Sequence, residues 1–152
     1  MNSTTIQPGH SASVSAELPL GAISSAQRWV GRGLSAFAVL FLSFDGVFKL
    51  FEPAPVLKAF AELGYPARLA VPLGLLLLAC VALYVLPRTA ALGALLLTGY
   101  LGGAISAHVR IGDPLFSHTL FPLYVAALVW GGLYLRSERV RSAVKLLSQP
   151  SV

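Results

Sequence analysis

The stretch LAVPLGLLLLACVALYVLP, residues 69–87, contains no charged residue and decides the fold. As an α-helix it would be about 28 Å long, close to the ~30 Å hydrocarbon core of a bilayer. Uncharged runs also occupy residues 89–107 and 115–135, and a shorter one covers residues 33–44. The shorter run reaches membrane length only if its helix continues through Asp45 to Phe51. The sequence therefore predicts an all-α protein, a bundle of four transmembrane helices.

The composition agrees with a membrane protein. Hydrophobic residues make up 56% of the chain and charged residues 11%, whereas a soluble domain carries roughly 25% charged residues. The net charge is +5, but the cations lie beside apolar runs and form no basic stripe with interleaved aromatic residues. We therefore expect the lipid bilayer as a partner and do not expect nucleic acid.

The distribution of cations predicts the orientation. Seven of them lie on the side of the two termini and the turn at residue 88: Arg28, Arg32, Arg88, Arg136, Arg139, Arg141 and Lys145. Four lie on the opposite side: Lys49, Lys58, Arg68 and Arg110. Cytoplasmic loops carry the excess of Lys and Arg. The sequence thus predicts a multi-pass protein of the cell inner membrane with both termini in the cytoplasm.

The chain divides into three segments. Residues 1–25 are rich in small and polar residues and lack the basic and apolar regions of a signal peptide, so we expect a disordered polar tail. Residues 26–136 form the membrane domain, and residues 137–152 form a basic cytoplasmic tail that is able to make a short surface helix.

A short amphipathic helix is predicted between the first and second spans, within EPAPVLKAFAELGYPAR, residues 52–68. Lys58 and Glu62 are spaced as an i,i+4 pair on its polar side. Its apolar residues recur at helical spacing: Val56, Leu57, Phe60 and Leu63. Such a helix lies on the membrane or caps the bundle.

Small and aromatic residues of the later spans predict packing. Gly99 and Gly103 form a G-x-x-x-G pair, for which ordinary helix packing is favoured over homodimerisation. Tyr100 and Tyr124 are expected within the bundle, where each hydroxyl needs a partner. The single cysteine, Cys80, is expected to be a small packing residue.

Several chemistries have no support in the sequence. One cysteine excludes an internal disulfide and the cysteine pair of a thiol–quinone oxidoreductase. No metal-ligand spacing, phosphate-binding loop, dinucleotide fingerprint or nucleophile elbow is present. A stand-alone catalyst is not expected, and no catalytic residue is assigned.

Polar residues gather at one predicted membrane face. Asp45 and Lys49 are four residues apart and share a helix face, so they either form a structural ion pair or present Asp45 to a ligand or proton. The loop between the third and fourth spans supplies the other candidates: His108, Arg110, Asp113 and His118. Arg110 and Asp113 are also spaced for a turn-stabilising ion pair, and histidine exchanges protons near neutral pH.

The amino-acid sequence of these segments resembles that of the DoxX-like family of small bacterial four-helix membrane proteins. The resemblance covers residues 28–136 and is carried by LFLSFDGVFKLFEPAP, LGYP, PRTAALGALLLTGYLGGA, HVRIGDPLFSH and WGGLYLR. The family motif falls on Asp45, Gly46, Lys49, His108, Arg110, Gly112, Asp113, Pro114 and His118. The resemblance implies no catalytic role for these positions.

The resemblance implies a link to redox systems, because better-known relatives are subunits of quinone-coupled enzymes or partners of redox-defence proteins. The first hypothesis is therefore an accessory or binding subunit of such a system, with a quinone or another lipophilic molecule near Asp45, His108 and His118. A redox enzyme or a second copy of the chain is its expected partner. The second is a small proton-coupled transporter that uses Asp45. The third is a purely structural membrane partner.

Overall fold

The structure is a computed structural model that describes residues 23–148. These residues form helices and no strand. Four spans are long and apolar enough to cross a membrane: Ser25–Leu50, Ala67–Val85, Ala90–Ile111 and Leu115–Arg136. The predicted all-α bundle of four transmembrane helices is thus confirmed. Most of the predicted disordered tail, residues 1–22, and the last residues, 149–152, lie outside the described part.

Six α-helices follow one another along the described chain: α1 Ser25–Leu50, α2 Ala54–Glu62, α3 Ala70–Val85, α4 Ala90–Ile111, α5 Phe121–Arg136 and α6 Glu138–Leu147. A 3₁₀ turn, Ala67–Leu69, leads into α3. A π-helical turn, Leu115–Thr119, leads into α5. The predicted boundaries agree with these helices to within a few residues, except that the fourth span begins with the π-helical turn.

The first helix begins where the sequence supplies a capping box. The Ser24 hydroxyl accepts a hydrogen bond from the Gln27 amide, and the Gln27 side chain accepts one from the Ser24 amide. These bonds satisfy amides that have no partner within the helix. The helix then continues through Asp45 and Lys49 and ends at Leu50, as a membrane-length first span requires.

The four spans form a ring in which α1 and α4 each pack against both α3 and α5. Glycines permit the closest approaches between α1 and its neighbours. A Cβ at Gly74 would lie 2.8 Å from the Gly46 carbonyl oxygen, and a Cβ at Gly132 would lie 2.8 Å from the Ser35 amide. Small residues at these crossings let the backbones meet.

The core is concentrated in the half of the bundle that contains the α3–α4 turn. Leu77, Tyr84, Ala94 and Leu97 have no exposed surface. Cys80 is buried in the same cluster, as predicted for a packing residue. Tyr124, in contrast, is about half exposed, so the prediction that it lies within the bundle is wrong.

The two short helices lie at opposite ends of the bundle. The predicted amphipathic connector is α2, which buries Phe60 and exposes its Lys58–Glu62 pair. It lies at the end where α1 stops and α3 starts. The other short helix, α6, follows α5 after the single residue Ser137 and is tied to the start of α1 by an ion pair between Arg28 and Glu138.

Candidate functional site

A cavity of about 430 Å³ opens within the bundle at the α2 end. Every span contributes to its wall, and Phe60 of α2 covers it together with Leu63, the residue directly after that helix. Most of the lining is apolar, including Phe41, Leu42 and Val125. The polar groups of the lining are the side chains of Asp45, Lys49, Tyr65, Tyr100 and His108. A mostly apolar cavity with a few polar groups has the character of a small-molecule site.

Asp45 and Lys49 form an ion pair on the cavity wall. The Lys49 Nζ atom lies 2.5 Å from Asp45 Oδ2, which confirms the pairing that their spacing predicts. The Lys49 side chain is only 14% exposed, whereas Asp45 is 41% exposed. Lys49 therefore does not extend outward as a membrane anchor. Its ammonium group has three N–H donors, and Asp45 engages one of them.

His108 is held by Asp113 rather than left free. Its Nδ1 atom lies 2.5 Å from Asp113 Oδ2. The chain reverses at Gly112, which has a φ of +73°, and the Asp113 amide bonds back to the His108 carbonyl. Glycine adopts this left-handed conformation without the strain that a side chain causes. The pair fixes the imidazole through Nδ1 and leaves Nε2 available to a ligand.

Arg110 has a different partner from the one expected. The interpretation of Arg110 and Asp113 as an ion pair is wrong, because Asp113 pairs with His108. Arg110 instead donates a hydrogen bond to the Leu63 carbonyl and lies 5.6 Å from the centre of the Tyr65 ring. Arg110 thus fastens the segment that follows α2 to the end of α4, so it supports the cavity cover.

His118 lies outside the cavity lining. It is exposed in the π-helical turn, where Nδ1 is 2.8 Å from the Ser117 hydroxyl. Its ring centre is 6.2 Å from that of His108. Of the six predicted site residues, Asp45, Lys49 and His108 line the cavity. Asp113 and Arg110 support it, and His118 stands beside His108 at the membrane face.

The glycines of α4 shape the cavity. Gly99 and Gly103 lie on its wall, and a Cβ at either position would meet no atom within 4 Å. The prediction that this pair packs against another helix of the bundle is therefore wrong. Sequence reasoning identified the G-x-x-x-G spacing, but that spacing does not distinguish a helix contact from an open wall.

Two aromatic residues complete the polar end of the site. Tyr100 lines the cavity, which confirms its expected place within the bundle. Tyr65 was not singled out from the sequence, although it directly follows the Gly64 turn that ends α2. Two signals pointed to it: its position next to a helix-terminating glycine, and its place in the LGYP motif that carries the family resemblance.

Comparison with known proteins assigns the family. No curated protein and no solved structure matches the chain. The model of the DoxX-like family matches residues 33–132, which include the whole cavity lining and all six predicted site residues. Together with the four apolar spans, this match shows that the chain is a multi-pass integral membrane protein belonging to the DoxX-like family.

Proposed function

We propose that this protein is the binding subunit of a membrane redox system and holds a quinone, or a similar neutral lipophilic molecule, in the cavity. The observation that carries the proposal is the cavity itself. It is apolar over most of its wall and carries polar groups from α1 and α4. A volume of about 430 Å³ lies within the range of ~300–1,000 Å³ of small-molecule sites.

The charges of the cavity favour a neutral ligand. The formal charges of Lys49 and Asp45 cancel within their ion pair, and the Asp113 carboxylate is engaged by a hydrogen bond from His108. A charged ligand would add an unbalanced charge inside a bundle of low dielectric, which is costly. A quinone brings carbonyl acceptors and an apolar ring without a formal charge.

The donors of the site suit such carbonyl groups. Lys49 keeps N–H donors that Asp45 does not use, and the Tyr100 hydroxyl lines the same cavity. The Nδ1–H group of His108 donates to Asp113, so the Nε2 atom faces no partner among residues 23–148 and is free to accept a proton from a ligand hydroxyl, as in a quinol. Histidine also exchanges protons near neutral pH, so His108 is the group we propose to exchange protons with the ligand.

Paired glycine substitutions test the proposal without disturbing the fold. A Cβ at Gly103 or at Gly102 would meet no atom within 4 Å, but only Gly103 lines the cavity. Gly103→Leu should fill the cavity and weaken the affinity for a short-chain ubiquinone or menaquinone by about tenfold or more. Gly102→Leu should leave that affinity unchanged. The measurement is calorimetric titration of the purified protein in mild detergent.

The two histidines provide a second matched pair. His108→Gln should weaken quinone binding, whereas His118→Gln should not, since His118 lies outside the cavity lining. Quinone affinity that survives Gly103→Leu, His108→Gln and Asp45→Asn unchanged would contradict the proposal. A redox enzyme is the partner that this function implies, and affinity purification of the tagged protein from its native membrane would identify it.

Proton-coupled transport through Asp45 is the alternative that one observation favours. Asp45 is a carboxylate within a membrane span and lines a cavity, as is typical of proton sites in transporters. Transport requires a second conformation, because the opposite half of the bundle is closely packed around Leu77, Tyr84 and Leu97. Uptake into vesicles that depends on a pH gradient and on Asp45 would support this alternative over the first.

A further inference from the structure

The terminal helix α6 has an apolar face that the bundle covers only in part. Val140, Val144 and Leu147 follow one another at i, i+4 and i+7, so they share one side of the helix. Val140 packs against the core of the bundle. Val144 is 46% exposed and Leu147 is 88% exposed. The bundle therefore covers only the first turn of this apolar face, and the rest of the face is exposed.

The other side of α6 carries an excess of positive charge. Arg139 and Lys145 are exposed and have no carboxylate within 4 Å among residues 23–148, whereas Arg141 lies over the Tyr134 ring at 5.0 Å. Glu138, the only acidic residue of the helix, forms an ion pair with Arg28, whose guanidinium nitrogen lies 3.0 Å from Glu138 Oε1. Unpaired cations beside an exposed apolar strip indicate a partner that is both anionic and apolar.

The position of α6 places it at a membrane face. It begins two residues after the end of a transmembrane helix, and the Ser137 hydroxyl caps its first turn through the Val140 amide. The Arg28–Glu138 ion pair ties it to the start of α1, which is the end of another span. Two span ends thus hold α6 at the level where head groups lie.

We propose that α6 lies in the bilayer interface and binds the head groups of anionic phospholipids. Val144 and Leu147 enter the boundary of the acyl chains, and Arg139 and Lys145 contact the phosphates. The connector α2 provides the contrast, since its Lys58 is paired with Glu62 at 3.8 Å and its Phe60 is buried. This proposal concerns a surface at the far end of the bundle from the cavity and does not rest on quinone binding.

A lipid titration tests the charge of α6. The purified full-length protein is titrated with dioleoylphosphatidylglycerol, or with dioleoylphosphatidylcholine of the same chain length, and its thermal midpoint is recorded. We expect stabilisation by phosphatidylglycerol. The double variant Arg139→Gln/Lys145→Gln should need a roughly 30-fold higher phosphatidylglycerol concentration to reach half of its maximal rise in thermal midpoint. Each cation near an anionic surface contributes about 1 kcal/mol to lipid binding, and the variant loses two.

Lys58→Gln is the matched control, because it removes a cation from the other short helix. This substitution should leave the dependence of the thermal midpoint on phosphatidylglycerol concentration unchanged. Equal stabilisation by the two lipids, or a double variant with the dependence of the native protein, would overturn the proposal.

A depth measurement keeps the proposal testable if the double variant folds poorly. Leu147 has little contact with the protein, so Leu147→Cys in a Cys80→Ala background accepts a fluorophore without loss of packing at α6. In phosphatidylglycerol-containing vesicles, brominated acyl chains should quench the label strongly. A label that iodide quenches from the water, but brominated lipid does not, would show that α6 lies off the membrane or binds a soluble partner.

Discussion

A single tyrosine joins three of the four spans. The Tyr84 hydroxyl donates a hydrogen bond to the Val129 carbonyl of α5 at 2.8 Å. It has only one proton, so the Ser35 hydroxyl of α1, at 2.9 Å, is the donor in their shared bond. The Arg136 guanidinium lies 4.9 Å from the ring centre and donates to the Tyr84 carbonyl. Tyr84 therefore connects α1, α3 and α5 inside the core.

We expect Tyr84→Phe to lower the free energy of unfolding by about 1 kcal/mol. The substitution removes two buried hydrogen bonds and leaves Ser35 without its acceptor, and interhelical bonds in membrane proteins typically contribute this amount. The measurement is denaturant-induced unfolding in mild detergent, followed by circular dichroism. Tyr124→Phe is the control, because Tyr124 is exposed and should tolerate the loss of its hydroxyl. An equal effect of the two substitutions would argue against the role of Tyr84.

The two side-chain pairs of the site, Asp45–Lys49 and His108–Asp113, differ in how far the sequence predicts them. Asp45 and Lys49 are an i,i+4 pair within one helix, so local geometry alone brings them together. His108 and Asp113 are five residues apart and meet only because the chain reverses at Gly112. The spacing of Arg110 and Asp113 suggested a different pair. The choice between the two partners depends on the direction of the chain after α4, which spacing does not give.

At the level of elements, the cavity depends on how α2 is held. The helix is short, and an isolated helix of its length is not stable in water. Phe60 anchors it in the bundle, and Arg110 bonds to the Leu63 carbonyl at its end. Gly64, with a φ of +69°, lets the chain turn beside the Arg110 guanidinium. Arg110 thus holds the cavity cover in place from outside the cavity lining.

We expect Arg110→Gln to loosen α2 without unfolding the bundle. Loss of the bond to Leu63 should cost about 1 kcal/mol of local stability. Local opening controls amide exchange, so exchange across Ala54–Glu62 should become roughly fivefold faster. Hydrogen–deuterium exchange with mass spectrometry measures this directly.

Arg68→Gln is the control for the Arg110 variant. Arg68 is exposed in the neighbouring 3₁₀ turn, and its loss should leave α2 exchange unchanged. Exchange that rises equally along all four spans of the Arg110 variant would mean that Arg110 stabilises the whole bundle rather than α2.

The whole molecule is asymmetric along the membrane normal. One half is closely packed around Tyr84, and the other half contains the cavity. The short helices follow the same division, with α2 over the cavity and α6 at the packed end. The cations are also concentrated at the packed end, where the described residues include seven Lys and Arg but one acid, Glu138.

This asymmetry predicts the orientation of the molecule in its membrane. Because cytoplasmic segments carry the excess of Lys and Arg, we expect α6 in the cytoplasm and the cavity at the outer face. In a Cys80→Ala background, an impermeant maleimide should label Ser117→Cys in intact cells. Ser142→Cys should be labelled only after permeabilisation.

The opposite labelling pattern would reverse the orientation, and labelling of both positions in intact cells would mean a mixed topology. Each cysteine serves as the control for the other, since Ser117 and Ser142 are both exposed and lie at opposite ends of the bundle.

The sequence by itself determined that this is a four-span membrane protein, because uncharged runs of membrane length have few alternatives. It also determined that Asp45 and Lys49 share a helix face and that a short amphipathic helix connects the first two spans, since both depend on local helical periodicity. Only the tertiary structure decided that Gly99 and Gly103 line a cavity while Gly74 and Gly132 make the crossings. The same residue type serves both purposes, and which face of a helix meets a neighbour depends on how the spans are arranged around the ring.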